Sequence, residues 1–404
     1  MAKRFRINSS RKHWLWIGGV VLLLSAAALC WHLLRPQSPQ KPVSQSTTSS
    51  EKKTVLPEEN PVNQLTFSAM GDMLAHDSVV NQAKTVNGYD FMPYFSQIQP
   101  VYADSDVVFC NPETPSAGTE FGISGYPTFN APIEFSRDLS QTGCNLINLA
   151  TNHIADKGQR AIDATLDEWQ KLEPLAIAGA NRNLEEQQRV SYFEKNGLKV
   201  AFLAFADFSN ARPPASYSLN VYHDKNLVDK LITEARKNTD VVIVSAHWGT
   251  EDSHQVNSDQ LQTAQEMADL GADVIIGTGP HVLQKVSMLD RKDGGQALVW
   301  YSIGNMLSSQ LQTDELTGGV AQFKLSKTDD KITISDIGFR PTFMSYDWSA
   351  SDRANSLLHT RQNLKLQLLK NAQTETQSFG ATVDERLEKI KQWLGSEVNL
   401  SIEL

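Results

Sequence analysis

The chain has 404 residues, enough for one large domain with a full hydrophobic core or for two small domains. Its formal net charge is −9, but residues 1–35 contain six basic residues and no acidic one, which leaves about −15 on the rest. A body this acidic repels phosphate groups, so the composition argues against a nucleic-acid-binding protein.

Residues 14–34 read "WLWIGGVVLLLSAAALCWHLL" and contain no Asp, Glu, Lys or Arg. This is long enough to cross a bilayer core as one helix, and tryptophans lie near both ends, where interfacial aromatics belong. Because five basic residues precede it in residues 1–13, we expect a cytoplasmic tail, one uncleaved transmembrane helix and an extracellular body at the cell membrane. The alternative is a cleaved signal peptide, since "SAAAL" offers small residues near a possible cut.

Residues 35–63 are dominated by Pro, Ser, Thr, Gln and charged residues. Such a stretch buries too little apolar surface to offset its ordering entropy, so the composition predicts a flexible linker. The body beyond it contains two cysteines, Cys110 and Cys144. They could form a disulfide outside the cell, but two isolated cysteines do not make a disulfide framework, and we expect buried free thiols.

The body alternates predicted strands with predicted helices. In chain order the predicted elements are strands at 65–74, 105–115 and 144–153, a helix marked by Ile162, Leu166, Trp169 and Leu172, a strand at 174–181, a hairpin at 190–207 around Asn196-Gly197, a helix at 225–238, a strand at 240–249, a helix at 258–271 with Ser258 as N-cap and Gly271 as C-cap, strands at 274–284 and 297–305, and a hairpin at 320–339. This mixture predicts a layered α/β body over residues 64–345, with a mixed sheet or two stacked sheets.

Residues 346–404 are predicted to be a helical extension. Val383, Leu387, Ile390 and Leu394 recur at helical spacing and form one apolar stripe. We expect this stripe to pack on the body.

Polar side chains follow five of the predicted strands at the point where each strand ends. They are Asp72 and His76, Asn111 and Glu113, Asn152, His153 and Asp156, His247 and Glu251, and His281. Each residue taken singly has an ordinary explanation as a turn or core residue. Ligand sites of open α/β sheets lie beyond the carboxyl ends of strands, so the joint pattern favours a metal or phosphate site. Imidazole and carboxylate together suit Mn, Zn or Fe better than Ca or Mg.

The ordered set "GDML", "NPETP", "LATNHIADKG", "GAN", "SAHWGTE", "GADVIIGTGPHVLQ" and "YSIGNM", over residues 65–310, resembles the CapA/PgsA family of bacterial capsule and poly-γ-glutamate synthesis. The resemblance implies a calcineurin-like metallophosphoesterase fold: a four-layer α/β/β/α sandwich with a metal site at the strand ends. It also implies one or two divalent ions, Mn, Zn or Fe.

Carried over position by position, the resemblance assigns the site. Asp72 is similar to the first metal aspartate, and Glu113, or Asn111 beside it, occupies the position of the bridging acid. The implied metal ligands are Asp72, His76, Glu113, Asn152, His247 and His281, the catalytic residues are His153 and Asp156, and the substrate-binding residues are Asn111, Glu251, Tyr126 and Asn305. If chemistry occurs, it would be metal-assisted hydrolysis in which His153 protonates the leaving group.

The loop at 117–135 is predicted to lie beside this site. Tyr126 and Phe129 within it could contact a substrate or simply pack.

The sequence departs from the family pattern at two positions. His76 lies four residues after Asp72, whereas metallophosphoesterases have Asp-x-His. The last element is commonly His-Pro-His in the CapA family, and here it is Gly279-Pro280-His281. Because glycine has no ligand atom, a mononuclear or weakened site becomes plausible.

Three functions remain open at this point. The first is a membrane-anchored extracellular protein of capsule synthesis or export, with poly-γ-glutamate as the expected anionic polymer and integral membrane proteins as partners. The second is an extracellular metal-dependent hydrolase of a phosphoester or polymer end. The third is a polymer-binding module that has kept the fold and lost the chemistry.

Overall fold

The computed structural model describes residues 63–329 and 331–404. The predicted cytoplasmic tail at 1–13, the transmembrane helix at 14–34 and all but the last residue of the linker at 35–63 lie outside the described residues. None of the helices within the described ranges combines the length and the apolar composition that crossing a bilayer requires.

The described residues form strands and helices as follows. In chain order the strands are β1 (Asn63–Met73), β2 (Lys84–Thr85), β3 (Gly88–Tyr89), β4 (Val107–Pro112), β5 (Leu146–Asn148), β6 (Ala176–Ala178), β7 (Ser191–Lys195), β8 (Leu198–Ala206), β9 (Val241–His247), β10 (Val274–Thr278), β11 (Val286–Asp290), β12 (Gln296–Trp300), β13 (Asn305–Leu307), β14 (Thr317–Thr328), β15 (Lys331–Asp347), β16 (Gln362–Leu368) and β17 (Ser401–Ile402). The α-helices are α1 (Asp77–Ala83), α2 (Met92–Phe95), α3 (Ile133–Thr142), α4 (Gln159–Lys171), α5 (Leu184–Gln187), α6 (Lys225–Asn238), α7 (Ser258–Leu270), α8 (Ala350–Ala354), α9 (Gln373–Ser378) and α10 (Val383–Leu394). Short 3₁₀ helices lie at Gln99–Val101, Thr119–Phe121, Leu358–Thr360 and Leu369–Asn371.

Two sheets dominate the body. The first has the strand order β16-β15-β14-β1-β4-β5-β6, with β13 paired to β1 and β17 paired to β15. The second has the order β11-β12-β10-β9-β8-β7. The strands β1, β4, β5 and β6 run parallel, as do β8, β9, β10 and β12. Strand β14 is antiparallel to β1, β7 to β8 and β11 to β12. The carboxyl ends of each parallel set therefore meet at one edge of its sheet.

The two sheets pack face to face. Alternate residues of a strand point to opposite faces, so each strand places one set of side chains between the sheets. Phe202 on β8 contacts Phe109 of the first sheet, with ring centroids 6.1 Å apart. Its neighbour Leu203 belongs instead to a second apolar core, shared with the buried faces of α6 and α7. The buried faces of α3 and α4, including Leu139 and Trp169, belong to the main core with the first sheet. The predicted layered α/β body with two stacked sheets is confirmed.

One local prediction, the hairpin turn, agrees with the structure, and two others, a helix cap and the helical tail, do not. The hairpin turn at Asn196-Gly197 has φ of 48° and 75°, as a type I′ turn requires. Helix α7 is capped by Asn257 rather than Ser258, because Asn257 and Gln260 form a reciprocal capping box. The tail is not wholly helical, since β16 pairs with β15 as an edge strand of the first sheet.

The predicted stripe on α10 is largely correct. Val383, Ile390 and Leu394 are buried and Leu387 is partly buried. The helix also buries Arg386, which a purely apolar pattern does not identify.

The prediction of free thiols is wrong, because Cys110 and Cys144 form a disulfide. Phe109 faces the second sheet, so its neighbour Cys110 on β4 points to the opposite face. Cys144 follows the C-terminal end of α3, and the two Cα atoms are 5.7 Å apart, within the range that a disulfide needs. The sequence spacing could not reveal this approach, since it arises only when α3 packs on the first sheet.

Candidate metal centre

The carboxyl ends of four parallel strands bring the site together. Asp72 on β1 lies directly opposite Asn111 on β4, and Thr278 on β10 lies opposite His247 on β9. These strands belong to both sheets, so the site lies where the two sheets meet at their carboxyl edges. This is the edge at which the sequence predicts a ligand site.

Asp72 is fully buried, and its side-chain hydrogen bonds stabilise its charge. Oδ1 accepts a hydrogen bond from the Asn111 amide at 2.7 Å, and the Gly279 N–H approaches Oδ1 at 3.2 Å and Oδ2 at 3.1 Å. His281 Nδ1 lies 3.1 Å from Oδ2. Burial opposes ionisation, but the hydrogen bond and charge of His281, with the charge of His247, outweigh it and lower the pKa of Asp72.

Glu113 is equally buried but has no such support. Neither Oε1 nor Oε2 has a hydrogen-bond partner among the described residues. Oε1 lies 3.8 Å from His281 Nε2 and 3.8 Å from His247 Nε2. Burial, opposed by the charge of His281, raises the pKa of Glu113 well above its ordinary value. Glu113 thus lacks a hydrogen-bond partner, and a buried carboxylate is costly unless it is paired or binds a metal.

His281 is held in an unusual backbone conformation with φ of 61°, which a residue other than glycine rarely adopts. Its Nδ1 lies 3.1 Å from Asp72 Oδ2 and 3.1 Å from Asn305 Oδ1, both acceptors, so Nδ1 carries the proton. Nε2 then faces Glu113. Burial lowers the pKa of His281, but the charge of Glu113 and the bond to Asp72 outweigh it and raise it to about 10.

His247 and Asn152 complete the cluster. His247 Nδ1 lies 3.0 Å from Thr278 Oγ1, and Nε2 lies 3.1 Å from Asn152 Oδ1. Burial lowers the pKa of His247 to about 4, which favours the neutral imidazole that metals bind.

These residues fit a divalent cation. Ligand atoms of Asp72, Glu113 and His281 all lie within 4.8 Å of one another. The decisive feature is that the oxygens of Glu113 have no hydrogen-bond partner among the described residues, while the imidazole nitrogens of His247 and His281 lie 3.8 Å away, so a cation would supply the direct contact that is missing. The mixture of carboxylate and imidazole donors suits Zn, Mn or Fe.

A second group of predicted residues lies beside this cluster. His153 Nδ1 bonds Asp156 Oδ2 at 2.8 Å, and the same oxygen accepts the Phe129 N–H at 2.7 Å. The Asn210 amide lies 3.3 Å from His153 Nε2. The Phe129 ring packs edge-on against His153, with centroids 4.6 Å apart. Asp156 and Phe129 thus fix the orientation of His153. Its Nε2, which the Asn210 amide approaches, is the nitrogen that Asp156 does not engage.

A cleft of about 600 Å³ opens over the site. Its wall includes Leu74, His76, Tyr126, Pro127, Thr128, Phe129, His153, Asp156, Asn210, Ala211, Glu251, His281 and Gln310. Tyr126 is 71% exposed, whereas Phe129 is buried, so Tyr126 is the aromatic of this loop that a substrate can reach. Glu251 is also exposed and lies in the wall as predicted for a substrate-binding residue.

His76 lies in the cleft wall, apart from the hydrogen-bonded cluster around Asp72. Its Nδ1 faces the Ser309 N–H at 3.4 Å, and its ring packs on Phe129. Burial, followed by the charge of Arg361, lowers the pKa of His76 to about 3. Its role as a metal ligand stays a prediction.

Asn111 and Asn305, which the sequence predicts to bind substrate, have their amides engaged inside the protein. Asn111 donates to Asp72 and accepts from Asn148 Nδ2 at 2.7 Å. Asn305 accepts from His281 and donates to Gln310 Oε1 at 2.5 Å and to the Glu315 carbonyl at 2.9 Å. The structure therefore gives both residues the task of positioning metal-centre side chains.

The contributions of Asn148, Thr278, Asn210 and Gln310 are absent from the sequence-based prediction. Asn148 had a detectable signal, because it is a polar residue inside an otherwise apolar strand. Thr278 ends β10, whereas Asn210 and Gln310 lie in loops, and the approach of all three to the site depends on the fold.

Gly279 is required by the local geometry rather than being only a lost ligand. Its φ is 105°, and a Cβ atom there would lie 2.9 Å from the Trp248 carbonyl oxygen and 3.3 Å from His247 Nε2. A side chain therefore cannot enter without moving backbone. The glycine N–H meanwhile supports Asp72.

We expect Gly279→Ala and Gly279→His to lower the free energy of unfolding by about 2 kcal/mol or more, from backbone strain and overpacking. Neither variant should gain a metal equivalent. Gly294→Ala is the matched control, since Gly294 has φ of 84° but no atom within 4 Å of an added Cβ. Chemical denaturation should show a smaller loss for this control, and equal losses would refute the role of crowding.

A pH-dependent contribution to stability comes from Glu315, behind Asn305. Oε2 accepts the N–H groups of Leu311 and Gln312, yet burial and the neighbouring Asp252 raise the pKa of Glu315 to about 7. A raised folded-state pKa means that stability is fully present below about 4.5 and is lost as the pH rises through about 7.

We expect Glu315→Gln to reduce this loss by about 1 kcal/mol after allowance for solvent screening, because the amide keeps an acceptor and removes the titration. Urea denaturation of both proteins at several pH values between 4.5 and 8 measures it. Parallel curves for the two proteins would exclude Glu315 as the cause.

Comparison with known proteins supports the resemblance seen in the motifs. The sequence profile of the family "Bacterial capsule synthesis protein PGA_cap" matches residues 66–310. The "PGA biosynthesis protein CapA" of Bacillus subtilis is 30% identical over 274 residues, which cover 65% of this chain and 68% of that protein. The "Capsule biosynthesis protein CapA" of Bacillus anthracis is 28% identical over 285 residues, covering 68% and 66%.

Among solved structures, the calcineurin-like phosphoesterase YfkN from Bacillus subtilis has a TM-score of 0.43 at 17% identity, covering 70% of this chain and 91% of that one. The 5'-nucleotidase from Candida albicans has a TM-score of 0.36 at 12% identity, covering 63% and 47%. The family assignment rests on the sequence matches, which span more than half of the chain. The predicted resemblance to CapA is confirmed, and the chain belongs to the PGA_cap family of bacterial capsule synthesis proteins.

Proposed function

We propose that this protein is a membrane-anchored extracellular component of capsule synthesis or export, and that it uses a metallophosphoesterase-like metal centre. The proposal gives poly-γ-glutamate as the polymer, in line with the name of the Bacillus subtilis relative, "PGA biosynthesis protein CapA". The observation that carries the metal centre is Glu113, whose two buried oxygens have no hydrogen-bond partner among the described residues. A binding module without chemistry would have little reason to keep such a group.

The residues proposed to hold the cation are Asp72, Glu113, Asn152, His247 and His281. When bound, a divalent Mn, Zn or Fe ion supplies a Lewis acid that polarises a substrate oxygen. Asn111 and Gly279 hold Asp72 in place, and Asn305 orients His281. This supporting layer keeps the ligand atoms preorganised.

His153 is proposed to handle the proton at the leaving oxygen. Its Nδ1 bonds Asp156, which fixes the orientation of the ring. Nε2 is then the nitrogen that can hold or release a proton in the cleft. The substrate bond is a phosphoester or an amide at a polymer end.

The test is capsule formation in the native cell. Deletion of the gene should abolish surface polymer, measured as glutamate released by acid hydrolysis of polymer that has been extracted from washed cells and freed of protein. Wild-type protein should restore it, whereas Asp72→Ala and His153→Ala should not. Asp167→Ala is the control, since Asp167 is an exposed partner of Arg182. Undiminished polymer in the deletion strain would refute the function, and full rescue by both site variants would refute the chemistry.

The location and partners are part of the same proposal. We propose that residues 14–34 anchor the chain, that the body lies outside the cell, and that integral membrane proteins of polymer synthesis are its partners. The charge and hydropathy of residues 1–35 support this orientation. Protease added to intact protoplasts should degrade the body, and complete protection until lysis would contradict the orientation.

A further inference from the structure

Two arginines and two aromatic residues form a cluster next to the cleft, called here the arginine–tryptophan cluster: Tyr346, Trp348, Arg353 and Arg361. The Arg361 guanidinium lies 5.3 Å from the Tyr346 ring centre and 5.8 Å from the Trp348 ring centre. The Arg353 guanidinium lies 5.5 Å from the same tryptophan. One indole therefore holds two cations, which stack on it through cation–π contacts.

Neither arginine is neutralised within the part of the chain that the structure describes. Arg361 is only 6% exposed, and its one hydrogen bond there runs from Nε to the Leu358 carbonyl at 2.7 Å. Neither of its two Nη atoms hydrogen-bonds to another described residue, and neither is fully enclosed. Arg353 is exposed and has no carboxylate partner in the same ranges.

Other arginines of this protein whose side chains are scarcely exposed form ion pairs. Arg386 bonds Asp314 at 2.6 Å and Thr317 at 2.8 Å. Arg291 bonds Asp273 and Asp293. The fold thus pairs its buried guanidinium groups with carboxylates, as the desolvation cost requires, and Arg361 is an exception.

Asp77 and Glu315 are the carboxylates whose charges act on Arg361, but neither forms an ion pair with it. Both already accept other hydrogen bonds. Asp77 accepts the Gly125 N–H at 2.9 Å, and Glu315 accepts two backbone N–H groups. The cluster therefore keeps an unpaired positive charge on a body that is otherwise strongly acidic.

The cluster is connected to the wall of the cleft. Tyr346 Oη donates to the Gln310 carbonyl at 2.8 Å, and Gln310 lines the cleft. After burial, the charge of Arg361 is the next cause of the lowered pKa of His76, another residue of the wall. An anionic chain with one end in the cleft can therefore extend over the arginines.

We propose that the arginine–tryptophan cluster binds carboxylate groups of an anionic polymer chain whose end occupies the cleft. This inference rests on the proposed function, because it names the part of that substrate held outside the metal centre. Guanidinium groups suit the task, since their planar fork binds carboxylates bidentately and their faces can stay stacked on the indole. The cluster also explains how so acidic a protein can accept a polyanion.

The test is binding of fluorescein-labelled poly-γ-glutamate to the full-length chain in detergent, measured by fluorescence anisotropy at low salt. We expect R353Q/R361Q to bind about tenfold more weakly, which corresponds to the loss of two charge pairs. The matched control K171Q/R189Q removes the same charge from exposed pairs on the surface and should bind like the wild type. Unlabelled dextran should not compete.

R353Q alone keeps the test decisive if loss of buried Arg361 disturbs folding, since Arg353 is exposed; we expect about a threefold loss. Unchanged binding in folded R353Q and R353Q/R361Q would overturn the inference, as would an equal loss in K171Q/R189Q. Metal content, measured on the same samples, should not change in the arginine variants. If polymer binding depends on the arginines but deletion of the gene causes no capsule defect, the proposed function is refuted while the polymer-binding site is supported.

Discussion

Asp72→Ala is expected to lose bound metal and about 3–5 kcal/mol of unfolding free energy. The carboxylate is the common partner of the Asn111 amide, the Gly279 N–H and His281 Nδ1. Its removal leaves the Asn111 amide and the Gly279 N–H without an acceptor and His281 Nδ1 with Asn305 alone, and an unsatisfied buried donor is costly. Urea denaturation with EDTA present measures the stability term, and mass spectrometry measures the metal.

Glu113→Gln is the informative contrast. Glu113 has no hydrogen-bond partner to lose among the described residues, so its unfolding free energy in EDTA should stay within about 1 kcal/mol of the wild type or rise. It should nevertheless lose metal, and with it the stabilisation that metal gives, about 2.7 kcal/mol at a hundredfold excess over Kd. Equal destabilisation of the two variants in EDTA would show that Glu113 has a structural partner, against the present account.

Removal of the Cys110–Cys144 disulfide is expected to cost about 3–4 kcal/mol. The bond closes a loop with a sequence separation of 34, and cross-linking a loop of this size restricts the unfolded chain by about that amount. Both cysteines are buried, so the double variant Cys110→Ala/Cys144→Ala also loses packing. The midpoint of urea denaturation, compared under oxidising conditions, gives the difference.

Thiol titration separates the disulfide from the free thiols that the sequence suggested. The chain contains three cysteines. Denatured, unreduced full-length protein should therefore show one reactive thiol, from Cys30. Three reactive thiols would contradict the disulfide, and the double variant should then lose only a packing contribution.

Much of the fold could be predicted because its signals are local. The period of Ile162, Leu166 and Trp169 identifies α4, and Asn196-Gly197 identifies the β7–β8 turn. Strand β16 was missed because its burial depends on pairing with β15, which no local pattern records. The disulfide was missed for the same reason, since it depends on how α3 packs on the sheet.

The site could be predicted in its composition but less well in its roles. Parallel strands deliver their last residues to one edge, so the gathering of Asp72, His247 and His281 follows from the strand assignments. Which residues face the centre and which support it depends on side-chain direction, and Asn111 and Asn305 illustrate this. Gly279 shows the same limit, because its crowding by Trp248 is a tertiary contact.

The central claim is that Asp72, Glu113, Asn152, His247 and His281 hold a divalent cation. Its most direct test is the metal content of the full-length chain purified without added metal, with Asp72→Ala and His281→Ala measured beside it. We predict near-stoichiometric Mn, Zn or Fe in the wild type and its loss in both variants. A wild-type protein that contains no metal, even after incubation with Mn or Zn, would contradict the metal centre and the hydrolytic function built on it.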